Sequence, residues 1–255
     1  MTVPELEGHR AVVVGAGGAI GAAICRAYVA AGAAVCALDL DVEAAGRVVA
    51  ALAGEHRTGR IDVTDVASVD DAAEECGPVD SVVYSAGVAF TADLTETDWA
   101  RYRSLMAVNL DGAFHVGASF ACHMLKGERP GSFVFLSSTA GRRGEAGASA
   151  YCASKFGLIG LVESLAAELS PSGIRVNAIC PGNVDSPLLR AVAADVAARE
   201  QVPTSEILDR FAHAGAARRL VSPDEVAEVA VWLASPRASG ITGEAVRIDA
   251  GQLVG

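Results

Sequence analysis

The 255-residue chain is 51% hydrophobic and 20% charged, with 20 basic side chains against 31 acidic ones and a formal net charge of -11. That length supports a sizeable buried core. The acidic balance argues against nucleic acid or an anionic membrane as a partner, since both need a basic footprint.

The opening stretch, Met1 to Arg10, has no basic cluster leading into an apolar run, so no secretory leader is expected. No window approaches the ~18 apolar residues that a membrane span demands. Six scattered cysteines without a CxxC pair, and no histidine at ligand spacing, predict reduced thiols, no metal centre and a cytoplasmic location.

In chain order, the first β-branched run, Ala11 to Val14, leads into Gly15-Ala16-Gly17-Gly18-Ala19-Ile20-Gly21 and an alanine-rich helix. Glycines let the backbone come close to a pyrophosphate, and a helix N-terminus offers it free amides and partial positive charge; a bare structural turn is the alternative. The second run, Ala34 to Leu38, ends at Asp39, 24 positions after Gly15. A carboxylate there accepts hydrogen bonds from both hydroxyls of an adenosine ribose and repels a 2'-phosphate, which predicts NAD over NADP. The alternative is a helix-capping aspartate.

Further runs follow at Gly59 to Ile61, Ser81 to Tyr84, Ser132 to Leu136, Arg175 to Ile179 and Ala245 to Ile248, with helical stretches between them. Thr95 or Thr97 can cap a helix starting near Trp99, and Ser222-Pro223-Asp224-Glu225 opens the last one. The alternation predicts one α/β domain over 1–255, a doubly wound parallel β-sheet of Rossmann type with helices on both faces.

Ser138 closes the fifth strand, and Tyr151 and Lys155 follow thirteen and seventeen positions later. Four-residue spacing puts phenol and ammonium on one helix face, where the charge lowers the phenol from ~10 toward operating pH. Lys155 is one of two lysines, with Lys126, against 18 arginines. Arginine is no substitute for a compact ammonium that must donate to a ribose and a phenol together. The helix around it, Ala150 to Leu169, is apolar beyond one stripe, which predicts cover by a partner chain or by the segment after Pro187. That segment is helical over Leu188 to Glu200 and Ser205 to His213 and predicts a lid at about 186–219, off the sheet.

Taken in order, the glycine turn, Asp39, Asp62-Val63-Thr64-Asp65, Ser85-Ala86-Gly87, Asn109, Ser138, Tyr151, Lys155, Pro181 to Pro187 and Ile241 to Gly251 resemble the short-chain dehydrogenase/reductase family. The likeness is to its compact, single-domain, NAD-dependent type and covers essentially the whole chain. It implies an NAD(H)-dependent oxidoreductase that interconverts a secondary alcohol and a ketone by hydride transfer, working as a homotetramer. The alternatives are a 3-oxoacyl-thioester reductase and a non-catalytic dinucleotide sensor. The resemblance implies that Tyr151 is the general acid/base and Ser138 holds the substrate oxygen. Lys155 would bind the nicotinamide ribose, and Asn109 a water linking Lys155 to solvent. The cofactor would run along Gly15, Gly18, Ala19, Ile20 and Gly21, with Asp62 against adenine, Gly87 near the adenosine-side ribose and Val184 with Ser186 near the carboxamide. Val63, Ala86, Pro181 and Gly182 would also border it.

The chain departs from the family pattern at Ala19, where the compact form has a glycine, and at Val14, where it has a threonine. Tyr84-Ser85 replaces two asparagines that brace the central strand, and Asp62 to Gly77 is short for the usual helix before the fourth strand, which predicts a trimmed outer face there. An altered cofactor affinity is expected from Ala19. Near the nicotinamide, Arg142 and Arg143 form a candidate grip for an anionic substrate. Leu188, Leu189, Val192, Val196, Ile207, Leu208 and Phe211 either line a moderately apolar pocket for a small ketone or alcohol or pack on the domain.

Overall fold

A computed structural model describes residues 5–254; the ends of the expected 1–255 domain, residues 1–4 and 255, lie outside the described residues. Seven strands form: β1 (Arg10–Val14), β2 (Ala34–Asp39), β3 (Arg57–Arg60), β4 (Ser81–Tyr84), β5 (Gly131–Leu136), β6 (Ile174–Pro181) and β7 (Ala245–Ile248). All pair in parallel, in the order β3-β2-β1-β4-β5-β6-β7.

The helices are α1 (Ala19–Ala30), α2 (Val42–Ala50), α3 (Val66–Cys76), α4 (Trp99–Met106), α5 (Gly112–Lys126), α6 (Ser149–Leu169), α7 (Pro187–Glu200), α8 (Thr204–His213) and α9 (Pro223–Ala234). Both faces of the sheet are apolar, so alternate residues of one strand enter different cores. Val82 and Tyr84 join Phe133, Phe135 and Val176 under α3, α5 and α6, while Val83 joins Val13, Val134 and Ile179 under α1 and α9.

Strand order reverses between β1 and β4, and the crevice beyond their carboxyl ends is where open α/β sheets bind ligands. The loops after these two strands are the glycine turn and Ser85 to Asp93.

Two local expectations are corrected. β3 lies two residues before the expected start, because this polar edge strand takes its position from pairing, Cys36 opposite Arg57, and not from an apolar run. The cap of α4 is Asp98, which accepts from Arg101 N at 3.0 Å, while Thr97 Oγ1 donates back to Asp93 O in the preceding turn. The last helix opens as expected, with Ser222 and Glu225 in a reciprocal capping box. Among the described residues no helix is long and apolar enough to cross a membrane.

Candidate active site

Gly15 begins the turn after β1 at φ +81°, and a Cβ there would stand 2.5 Å from Ala86 N. A Cβ on Gly21 would stand 2.1 Å from Gly15 O. The turn is therefore closed to side chains both toward β4 and toward its own helix. α1 starts behind Gly18 with no side-chain cap and no acid in its first turn, whereas Asp41, Asp65, Asp98, Ser186 and Ser222 cap other helices. Its leading amides are left for an anion.

Asp39 ends β2 and accepts from Gly17 N at 2.8 Å through Oδ2 and from Asp41 N at 3.0 Å through Oδ1. The helix-capping alternative falls to its neighbour: Asp41 accepts from Ala44 N and caps α2. Asp62 accepts from Thr64 N and Thr64 Oγ1 at 3.0 and 2.7 Å, bonds that hold its carboxyl below the usual range. One groove brings together Gly15, Gly18, Asp39, Asp62, Val63, Ala86 and Gly87. Ala19, partly exposed at the start of α1, and Gly21, buried against the turn, line neither this groove nor the cleft described next.

That second cleft is lined by Ile20, Ser138, Tyr151, Pro181, Gly182, Val184 and Ser186, together with Phe90, Thr91, Glu145, Leu188, Leu189, Val192 and Phe211. β5 delivers Ser138, whose Oγ accepts from Ala140 N at 3.1 Å. α6 carries Tyr151 and Lys155 one turn apart, and Lys155 Nζ lies 5.7 Å from the Tyr151 ring centre. The ammonium is buried and donates to Leu136 O at 2.8 Å.

Asn109 sits in a π-helical turn, Ala107–Asp111, of the kind that often marks functional sites. Its Oδ1 accepts from Val88 N at 2.9 Å, and its Nδ2 donates to Val88 O and to Ser154 Oγ at 2.9 and 3.1 Å. A Cβ placed on Gly87 would lie 3.5 Å from Asn109 Oδ1 and 3.6 Å from Lys155 Nζ. Both groups thus face one point at the seam between groove and cleft.

Burial pushes the Tyr151 phenol up to about 12, with the Ser138 hydroxyl pulling it back and Glu145, Cys152 and Cys180 adding to the rise. Burial also brings Lys155 down to about 8. Desolvation is thus the largest influence on both groups in the protein as it stands.

Tyr84 is one that spacing alone did not explain. Buried under the sheet, its hydroxyl donates to Val108 O, next to Asn109. Burial holds its pKa well above the usual phenol value, so it stays a donor. A bulky residue thereby replaces bracing amides by reaching the π-helical turn itself. Tyr84→Phe should lower the stability measured in urea by about 1–2 kcal/mol, the cost of leaving a buried carbonyl unpaired.

The arginine pair does not grip the cleft. Arg142 donates to Ala245 O at 2.6 Å, and both arginines line a separate recess with Arg247. The charged side chain that does line the cleft is the carboxylate of Glu145, held above its ordinary value by partial burial. Beside it the buried Thr91 Oγ1 has no partner among the described residues. Phe90 and Thr91 come from an irregular loop whose sequence carries no periodicity to announce them. The segment after Pro187 divides its apolar residues: Leu188, Leu189, Val192 and Phe211 line the cleft, while Val196, Ile207 and Leu208 pack with Ala193 and Ala197.

A protein-family profile described as enoyl-(acyl carrier protein) reductase matches residues 15–252. The chain is 34% identical to sorbitol dehydrogenase of Cereibacter sphaeroides over 97% of its own length and 98% of the relative's. It is 38% identical to D-threitol dehydrogenase of Mycolicibacterium smegmatis, over 98% and 95% of the two chains. Its fold matches the crystal structure of sorbitol-6-phosphate 2-dehydrogenase of Erwinia amylovora with a TM-score of 0.90 at 30% identity, covering 96% of this chain and 100% of the other.

Proposed function

The chain belongs to the short-chain dehydrogenase/reductase family, and from that membership we propose that it is an NAD(H)-dependent dehydrogenase that interconverts a secondary alcohol and a ketone on a small, neutral polyol. The observation that carries the reading is the seam at Gly87. There the Lys155 ammonium and the Asn109 oxygen face one point, between a groove holding Asp39 and a cleft holding Tyr151 and Ser138.

Nicotinamide dinucleotide, when bound, supplies the hydride acceptor or donor. The residues present fit it. The side-chain-free turn at Gly15 and the uncapped start of α1 receive the pyrophosphate. Asp39 keeps a free lone pair on each oxygen for the ribose hydroxyls of the adenosine end. Lys155 donates to the other ribose, Ser138 holds the substrate oxygen, and Tyr151 takes or gives its proton. Asn109 orders a water that carries the proton on from Lys155 toward solvent.

Glu145 and the unpartnered Thr91 hydroxyl favour a substrate with several hydroxyls and no anionic group, since a carboxylate in the cleft repels a second one. The sorbitol and threitol dehydrogenases among its relatives agree with that choice. Leu188, Leu189 and Phe211 make the helical segment after Ser186 a lid over this substrate. Phe114 on α5 and Phe156 on α6 are 55% and 46% exposed, uncovered by α7 or α8, and support a homotetramer built on those helices. The free thiols suit the cytoplasm.

The test is NADH formation over a panel of sugar alcohols, hydroxy acids and acyl thioesters. Polyol turnover with NAD supports the proposal. Turnover of a 3-oxoacyl thioester with NADPH alone would replace it with the acyl reductase reading, and NAD binding without any turnover with the sensor. Asp39→Ser should weaken NAD about 10- to 100-fold by titration, the worth of hydrogen bonds to a charged acceptor, ~1.5–3 kcal/mol. Tighter binding of NADP than NAD by the unaltered protein would overturn the role of Asp39.

A further inference from the structure

Cys36, in the middle of β2, and Cys76, the last residue of α3, lie 40 positions apart in the chain with their sulfurs 3.4 Å apart. Neither residue lines the groove or the cleft. Cys76 is buried and its thiol donates to Cys36 Sγ, while Cys36 is partly exposed.

Two guanidinium groups bracket the pair. Arg10 donates to Cys76 O at 2.9 Å, and Arg57, the cross-strand neighbour of Cys36, donates to Glu75 O at 3.0 Å. The Cys76 donor, helped by Arg57 and Arg10, holds Cys36 below the ordinary thiol value against burial and Glu75, and Cys76 is held above it. One sulfur is therefore the nucleophile and the other waits within reach, the arrangement of an attacking and a resolving thiol.

We propose that Cys36 and Cys76 are a redox-active dithiol, converted by an oxidant of the hydrogen peroxide class to an intramolecular disulfide and restored by a thiol reductant. The Cys36 thiolate attacks a peroxide oxygen and the O–O bond breaks, giving a sulfenic acid and, with the thiol's proton, water. Cys76 sulfur then attacks Cys36 sulfur, the S–O bond breaks, and a second water leaves with the Cys76 proton. The two thiols together lose two electrons and two protons, and the peroxide is reduced to two waters.

Closing the bond brings the sulfurs from 3.4 Å to ~2.05 Å. The approach is local: Cys76 ends its helix, and Gly77 follows at φ +66°. The bridge would tie β2 to the far end of α3 around the edge strand β3, away from the reacting groups, so turnover survives oxidation while the β2–β3–α3 edge is held together.

The test uses Cys122→Ser, which removes an exposed thiol and with it the main route to intermolecular bridges. Peroxide treatment should lower the intact mass by about 2 Da. Non-reducing digestion should give one cross-linked peptide pair holding residues 36 and 76, lost in both Cys36→Ser and Cys76→Ser. Dithiothreitol should reverse both signals, and the oxidised form should melt at a higher temperature with activity retained. Mass gains in oxygen increments without a cross-link, no change in mass, or a cross-link that persists in Cys36→Ser would each overturn the proposal.

Discussion

Tyr151→Phe should leave dinucleotide binding intact and lower turnover about 10³-fold, within the range general acid–base catalysis contributes. Oxidising an alcohol releases a hydroxyl proton, and two ionisable side chains line the cleft to take it, Tyr151 and Glu145. Tyr151 has Ser138 beside it and Lys155 behind it; Glu145 stands on the loop before α6. Because burial pushes the phenol up to about 12, the fraction able to accept a proton grows tenfold per pH unit below that value. Alcohol oxidation should therefore rise with pH. Ketone reduction, which needs the protonated phenol, should show no such rise. Initial rates in both directions from pH 6 to 10 check this: the rise should vanish in Tyr151→Phe and survive in Glu145→Gln. The reverse pattern would make Glu145 the base.

Lys155→Met should abolish turnover and at the same time raise the melting temperature at pH 7. The ammonium is 4% exposed, has one carbonyl for a partner and belongs to none of the ion pairs among the described residues. An unpaired buried charge costs stability, and burial accordingly brings its pKa down from 10.5 to about 8. At ~1.4 kcal/mol per pKa unit, the penalty is of order 3–4 kcal/mol, worth roughly 7–14 °C in a domain of this size. Below pH 8 lysine is charged in both folded and unfolded chains, so the penalty is full. Between about 8 and 10.5 the unfolded chain binds more protons, and stability rises with pH until the penalty is gone. The advantage of Lys155→Met should accordingly shrink across that interval, as calorimetry at pH 7, 9 and 10.5 would show. Equal or lower stability of the variant at pH 7 would contradict the argument. Lys126, exposed at the end of α5, bears no such load, and arginine there should be silent. The chain keeps its costly lysine where the proposed chemistry requires it.

What the sequence disclosed follows from where periodicity and backbone need leave marks. Ser81–Tyr84 and Ala245–Ile248 are read to the residue because short apolar runs end sharply at turn signals. β3 slips because Arg57 and Thr58 are held by a neighbour's register and carry no pattern of their own. The glycine turn is legible since Gly15 answers a requirement of the main chain, and Tyr151 with Lys155 since helical spacing alone fixes their common face. The lining of the cleft was harder. Arg142 and Glu145 stand three apart in one loop, yet one reaches a carbonyl of β7 and the other enters the cleft. The direction of a side chain in an irregular loop is decided by what packs around it. Cys36 and Cys76 are neighbours only because β2 and α3 are, and no spacing motif could announce them.

The stem beneath α7 and α8 has a kinetic meaning. Val221 N donates to Asn183 O at 2.8 Å and Asp185 N to Val221 O at 2.9 Å, and just before this bridge Ala216 N and Ala217 N donate to Gly251 O and Ala250 O at 3.2 and 2.9 Å, so the chain leaves and re-enters the domain through one short hydrogen-bonded stem. Above that point the two helices share a small core of Ala193, Ala197 and Ile207, separate from the cores against the sheet. A lid motion of the kind proposed would break the bond from Asn183 Nδ2 to Phe211 O and the cleft-lining contacts, and leave that small core whole. On the proposed reading the pair would open as a unit of its own: its amides should exchange with solvent together and ahead of those in the sheet, and its opening would set a ceiling on how fast product escapes.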